Sequence, residues 1–307
     1  MNTEMTEKTG REAIAALAGI YPQLYLTPGE EGQRLYRLIV GRGQDAPSHS
    51  LGHFRGSEDD RLTYETTPAG QVLAVTLHDR QDFELFLQIM SKKCAPTPIP
   101  PTQGAVILDG VINWSRIRRH QQEYLRDRAT EGAAPDWPAE FQRFTAEPRN
   151  FKDALIILSA GPYSAVTADR AGYPEPEWLA HSLTIRKYHE CTHFVCRRLF
   201  PQLIDPLWDE LVADAVGLYA AFGHYDIRLA ELFLGVNEAG YTGGRLENYV
   251  EQPTSDAPAL RDPAARLDAL AVRCHQAVLR IATLTNSCGG IPPFELAIRL
   301  EKEKFPI

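Results

Sequence analysis

No stretch of this 307-residue chain approaches the roughly 20 consecutive apolar residues that cross a bilayer as a helix. The first residues, MNTEMTEKTGREAIAAL, carry acid early and lack an apolar core segment, so they do not read as an export signal. Cysteine is scarce: there are five, an odd number, and no two are spaced C-x-x-C. In a chain of this length that usage excludes a disulfide scaffold and reads as reduced, mostly buried thiols. Excess positive charge is missing too. The formal net charge is −8, which argues against a nucleic acid or an anionic membrane surface as partner. Together these absences lead us to expect a cytoplasmic protein. Internal repeats are also lacking.

The segments that are present change character along the chain. Residues 10–20 and 30–41 read as short helices, 71–79 as a strand, 80–93 as a helix, 105–111 as a strand and 115–129 as a charged helix. FKDALIILSAGPYSAV (151–166) begins as a buried strand and bends at Gly161-Pro162. Beyond about residue 175 the pattern is almost wholly helical. Strands early and helices late predict an α+β fold, with an N-terminal α+β region over 1–172 and a mainly helical region over 173–307, or one continuous domain spanning both.

KYHECTHFVCRRLF (187–200) carries His189, Glu190 and His193 as H-E-x-x-H. Pro174, Glu175, Pro176 and Glu177 suit a helix start, Arg197 and Arg198 a helix end, and Pro201 a stop. The apolar stripe between them includes both histidines, which stand one turn apart on the inward face, as two ligands of one metal do. Glu190 lies about 100° round the helix, beside the pair. A second helix follows, with Asp205 as N-cap, Pro206 in its first turn and Gly223 as its stop. Glu210 and Asp214 share its semi-buried face, with Ala213, Gly217 and Ala221 permitting close approach to the first helix. Two half-buried carboxylates need a partner; a cation on His189 and His193 supplies one, and an arginine for Asp214 is the plain alternative.

The constellation H189-E190-C191-T192-H193 and E210-L211-V212-A213-D214 resembles the HExxH…ExxxD signature of the gluzincin metallopeptidases, the thermolysin-like zinc enzymes. The likeness covers about residues 180–222. It implies zinc held by His189, His193 and Glu210, Glu190 as general base, and Asp214 as the acceptor that orients one ligand histidine. The gap of 16 residues between His193 and Glu210 is slightly shorter than in those enzymes, and Asp209 stands where they often have asparagine. The expected activity is zinc-dependent hydrolysis of a peptide or amide bond in a peptide or peptide-like small substrate.

The same two histidines and carboxylate also suit ferrous iron and oxygenase chemistry, and a catalytically silent metal-binding protein is the third reading. Candidates for an oxyanion donor are His224, Tyr225, Tyr241, Arg245 and Tyr249, the last three carried by YTGGRLENYV (241–250), where Gly243-Gly244 either threads the loop into a cleft or makes a plain turn. The strand ALIILSAGPYSAV is either a substrate-binding edge, with Tyr163 or Ser164 near the cleft, or a central core strand.

Overall fold

The structure, a computed structural model, describes residues 7–202, 206–249 and 263–303. The fold is α+β. Its sheet comprises β1 (Lys8–Thr9), β2 (Arg61–Thr67), β3 (Gly70–Leu77), β4 (Ala105–Ile112) and β5 (Lys152–Ser159), in the spatial order β1-β2-β3-β5-β4. β1 runs antiparallel to β2, and β3 runs parallel to β5 with Leu73 opposite Leu155 and Leu77 opposite Ser159. A strand flanked on both sides and covered on both faces needs a continuous apolar run, and Ala154 to Ser159 are all buried. β5 is therefore a central strand, and its reading as a substrate-binding edge is corrected; the edges of the sheet are β1 and β4.

Helices α1 (Arg11–Ile20), α2 (Glu30–Arg42), α3 (Arg80–Met90), α4 (Trp114–Glu131) and α5 (Trp137–Thr145) accompany these strands. α3 starts where Asp79 accepts the backbone N–H groups of Gln81 and Asp82, and its Phe83, Phe86, Leu87 and Ile89 face inward without exposure. Asp136 caps α5 in the same way. The sequence reading passed over β1, β2 and α5. β2 (RLTYETT) is largely polar, and α5 begins on a Trp-Pro pair that looks like the end of a loop.

By contact the chain divides into two compact units. One holds the residues up to Tyr64, Leu73–Pro100 and Ile107–Ser159; the other holds Glu65–Val72, Pro101–Val106 and the chain from Ala160 onward. The division after Ser159 precedes the expected break at 172/173, because Tyr163, Val166 and Ala171 are already part of the helical core.

That second unit contains α6 (Ala168–Ala171), α7 (Glu175–Leu199), α8 (Pro206–Phe222), α9 (Ile227–Leu234), β6 (Val236–Asn237), β7 (Gly240–Tyr241), α10 (Pro263–Asn286) and α11 (Pro293–Lys302). Trp178 of α7, Trp208 of α8 and Phe233 of α9 are wholly buried at its centre; burying each such side chain stabilises by about 1.5–3 kcal/mol. α7 and α8 pack backbone to backbone at Gly217, where an added Cβ would meet the Ile185 carbonyl oxygen at 2.7 Å. The spacing of small residues on α8 anticipated that approach. α8 closes at Gly223, whose φ of +75° is the left-handed stop expected there. The expected N-cap, Asp205, lies outside the described residues. The short β6–β7 hairpin is set into a region that the sequence reads as almost wholly helical, and α9 agrees with that reading. Among the described residues no helix is long and apolar enough to cross a membrane.

Candidate metal centre

α7 and α8 bring three side chains to one point. His189 Nε2 and His193 Nε2 stand 3.0 Å apart. Glu210 presents Oε2 at 3.5 Å from the first and Oε1 at 3.5 Å from the second. Three donors each about 2.0–2.2 Å from one tetrahedral ion are separated by roughly 3.3–3.6 Å, so the set is spaced for one metal with little adjustment. The i, i+4 spacing on α7 aims both rings at the same place, and the Gly217 approach lets Glu210 reach them from α8.

The outer nitrogens explain why the inner ones are available. His193 Nδ1 lies 2.8 Å from Asp209 Oδ2, and His189 Nδ1 lies 3.0 Å from Asp214 Oδ1. A carboxylate facing Nδ1 keeps the proton there and turns the Nε2 lone pair inward. Two Nε2 atoms 3.0 Å apart are bridged either by a proton that one ring donates to the other or by a cation between them. The electrostatics agree: burial lowers the His193 imidazole, but Asp209, Glu210 and Glu190 outweigh it and raise it to about 9. Burial raises the Glu210 carboxyl, yet His189, His193 and Arg245 hold it below its ordinary value. The pocket is negatively biased, and its two imidazole nitrogens and one carboxylate are a donor set that zinc fits.

Asp214 is more than an acceptor for His189. It is 2% exposed as a side chain and forms an ion pair with Arg245 Nη2. Burial alone would raise its carboxyl; Arg245 and His189 hold it far below the usual carboxylate range. The two sequence alternatives, histidine orienter and arginine partner, are thus both realised by one side chain. Tyr163 closes the group. Its hydroxyl donates to Asp214 Oδ1 at 2.7 Å, accepts from Arg245 Nη1 at 3.0 Å and lies 2.9 Å from His189 Nδ1. Burial, reinforced by Asp214, raises the phenol well above its ordinary value, so it stays a neutral donor. Tyr163 is held in turn by its backbone N–H on Ser182 Oγ at 3.0 Å. It is followed by Ser164 and Ala165 at φ +50° and +56°, a strained turn of the kind found at functional sites.

Arg245 and Tyr249 arrive together on one 3-10 turn, Arg245–Tyr249. The Tyr249 hydroxyl donates to Glu210 Oε2 at 2.8 Å, while Arg245 passes beneath to Asp214. The loop reaches in because glycines allow its backbone to touch another: a Cβ on Gly244 would meet Gly235 N at 2.4 Å and Leu234 C at 2.5 Å. Gly243-Gly244 therefore threads the strap, and the plain-turn reading gives way. Gly244→Ala is expected to cost about 1–3 kcal/mol through forced overpacking and to weaken metal binding with it. Denaturant unfolding and metal titration of the same variant check both.

The remaining candidates separate clearly. Glu190 is 7% exposed and has no hydrogen bond or ion pair among the described residues; it contributes charge to the His193 environment without belonging to the ligand set. His224 is corrected: it is exposed beyond the end of α8, with Nδ1 3.1 Å from its neighbour Phe222 O, because the Gly223 stop turns it away. Arg245, a candidate oxyanion donor, has its Nη groups committed to Asp214, Tyr163 and Ser164 on the Nδ1 side of His189. Asp209 is the residue whose role the sequence did not reveal. It was set down as a departure from an asparagine, and its position one before Glu210 was the available signal. Asp209→Ala is expected to weaken zinc binding about 10–100-fold, and Glu210→Ala to weaken it further; competition with a chelating dye measures both, and equal effects would contradict the ligand assignment.

Residues 5–282 match a protein family described as "Family of unknown function (DUF7005)". No curated protein and no solved structure matches the chain.

Proposed function

The chain belongs to that family of unknown function, so its chemistry has to be read from its own side chains, and we propose that it is a zinc-dependent hydrolase cleaving a peptide or amide bond. The observation that carries this reading is the pairing of two different carboxylate environments around the histidines. Glu210, Asp209 and Asp214 are all tied to the rings or to their partners, whereas Glu190 is enclosed beside them and untied. A purely structural metal site takes four protein ligands and has no need of a free base.

His189, His193 and Glu210 would hold the zinc, which as a Lewis acid lowers the pKa of water towards 7 and polarises a carbonyl. Glu190 accepts the proton of the attacking water and returns it to the leaving amine. Asp209 and Asp214 keep both imidazoles in the tautomer that donates through Nε2. Tyr249, held neutral because burial and Glu210 outweigh the pull of Arg245, is the best-placed donor for a developing oxyanion, its one O–H swinging to that oxygen from Glu210 Oε2. Arg245 and Tyr163 fix the underside of His189. The substrate is a peptide or peptide-like small molecule. A cytoplasmic setting is part of the reading and is supported by five free cysteines, four of them buried.

Metal analysis of protein purified without added metal tests the proposal. Zinc is expected in the wild type, with the equivalent held at this centre lost in His189→Ala. Iron at that centre, with oxygen consumption, would replace hydrolysis by oxygenase chemistry. A wild type that folds and carries no metal there would end both readings.

A further inference from the structure

One face of α7 continues past the ligand histidines to Cys196. In the fold it meets Asp209 of α8 and Glu301 of α11, with one ligand atom of each within 4.8 Å of the others. The three residues are only 2%, 6% and 3% exposed. Asp209 is shared: Oδ2 serves His193, while Oδ1 is fully enclosed and has no hydrogen-bond partner. An enclosed carboxylate oxygen without a partner is costly and needs a positive centre or a donor beside it. Arg197, the cation that acts on the Cys196 thiol, is on the exposed side of α7.

We propose that Cys196, Asp209 and Glu301 form a second metal site, closed to solvent and joined to the first through the Asp209 carboxylate. One sulfur and two carboxylates favour a zinc-class ion over calcium or magnesium, which take oxygen alone. Burial, with Glu301 and Asp209 adding to it, raises the Cys196 thiol above its ordinary range; entry of a divalent ion releases that proton to solvent and leaves a metal–thiolate bond. Lacking any open face, the site has no catalytic use; the fourth donor that a closed site takes would be the second carboxylate oxygen of Glu301. Its consequence is for the neighbour: a carboxylate shared with a cation accepts less strongly from His193 Nδ1, and so tunes the basicity of Nε2.

Cobalt(II) is the probe, because only a thiolate ligand gives a sulfur-to-cobalt charge-transfer band in the near ultraviolet. The full-length protein is expected to take up two equivalents and to show that band. Cys196→Ser should abolish the band and retain one equivalent, Glu301→Gln should weaken it, and His189→Ala should keep it while losing the other equivalent. Near-ultraviolet circular dichroism verifies that each variant is folded. A wild type that binds one equivalent with no thiolate band overturns the proposal and leaves the cluster held by protons; this outcome is distinct from failure of the first centre, in which His189→Ala changes no metal count.

Discussion

Glu190→Gln is expected to retain the metal at His189, His193 and Glu210 and to lose hydrolysis by on the order of 10³-fold, within the 10²- to 10⁴-fold range of a general acid–base group. The substitution is nearly isosteric, so the enclosed space beside the histidines stays filled. It removes only the ability to take a proton. Glu190 forms no hydrogen bond or ion pair among the described residues that the change would break, so unfolding is not a competing explanation. The loss should appear in kcat, with KM little altered, since a base acts in the transition state and not in ground-state binding. Zinc content and kcat are measured on one preparation. A variant within tenfold of the wild-type rate would remove Glu190 from the mechanism, and a variant that lost zinc would make it part of the ligand set.

The legible part of this protein was what repeats with a short period. The i, i+4 histidines, the i, i+4 carboxylates Glu210 and Asp214, and the small residues of α8 each follow from helix geometry. Their meeting follows from a short connection between two amphipathic helices. The buried run of β5 was equally visible, though a continuous apolar strand says nothing about which neighbours flank it, and so edge and centre stayed open. Other features were illegible because they depend on distant parts of the chain. Tyr163 reaches His189 across 26 residues and Arg245 reaches Asp214 across 31; loop residues like these carry no period. Gly243-Gly244 marked the strap, but only the facing glycine, Gly235, makes it an entry into the site. His224 illustrates the opposite error. Closeness in sequence to a metal helix placed it on the shortlist, and a single left-handed glycine turned it to solvent.

Arg245→Leu should be the most destabilising change that leaves the ligand set intact, by about 3–5 kcal/mol, because it strips the countercharge from a carboxylate enclosed in the helical unit. The Asp214 side chain is 2% exposed and that of Arg245 14%, so little solvent screening softens the loss. Tyr163 and His189 still donate to Asp214, but neither carries the full positive charge that the guanidinium supplies. Two effects follow from one cause. Stability falls, and without Arg245 burial raises the Asp214 carboxyl; once protonated it no longer holds the Nδ1 proton of His189, so that ring loses its fixed orientation and metal affinity drops with it. A double-mutant cycle separates the ion pair from simple packing. Asp214→Asn combined with Arg245→Leu should recover most of the stability, since a neutral amide still accepts from His189 and leaves no charge to compensate. Denaturant midpoints of the wild type, both single variants and the double variant provide the measurement. If Arg245→Leu costs less than about 1 kcal/mol, or if Asp214→Asn makes it worse, the buried pair does not hold the strap to the metal helices, and the support beneath His189 must come from Tyr163 alone.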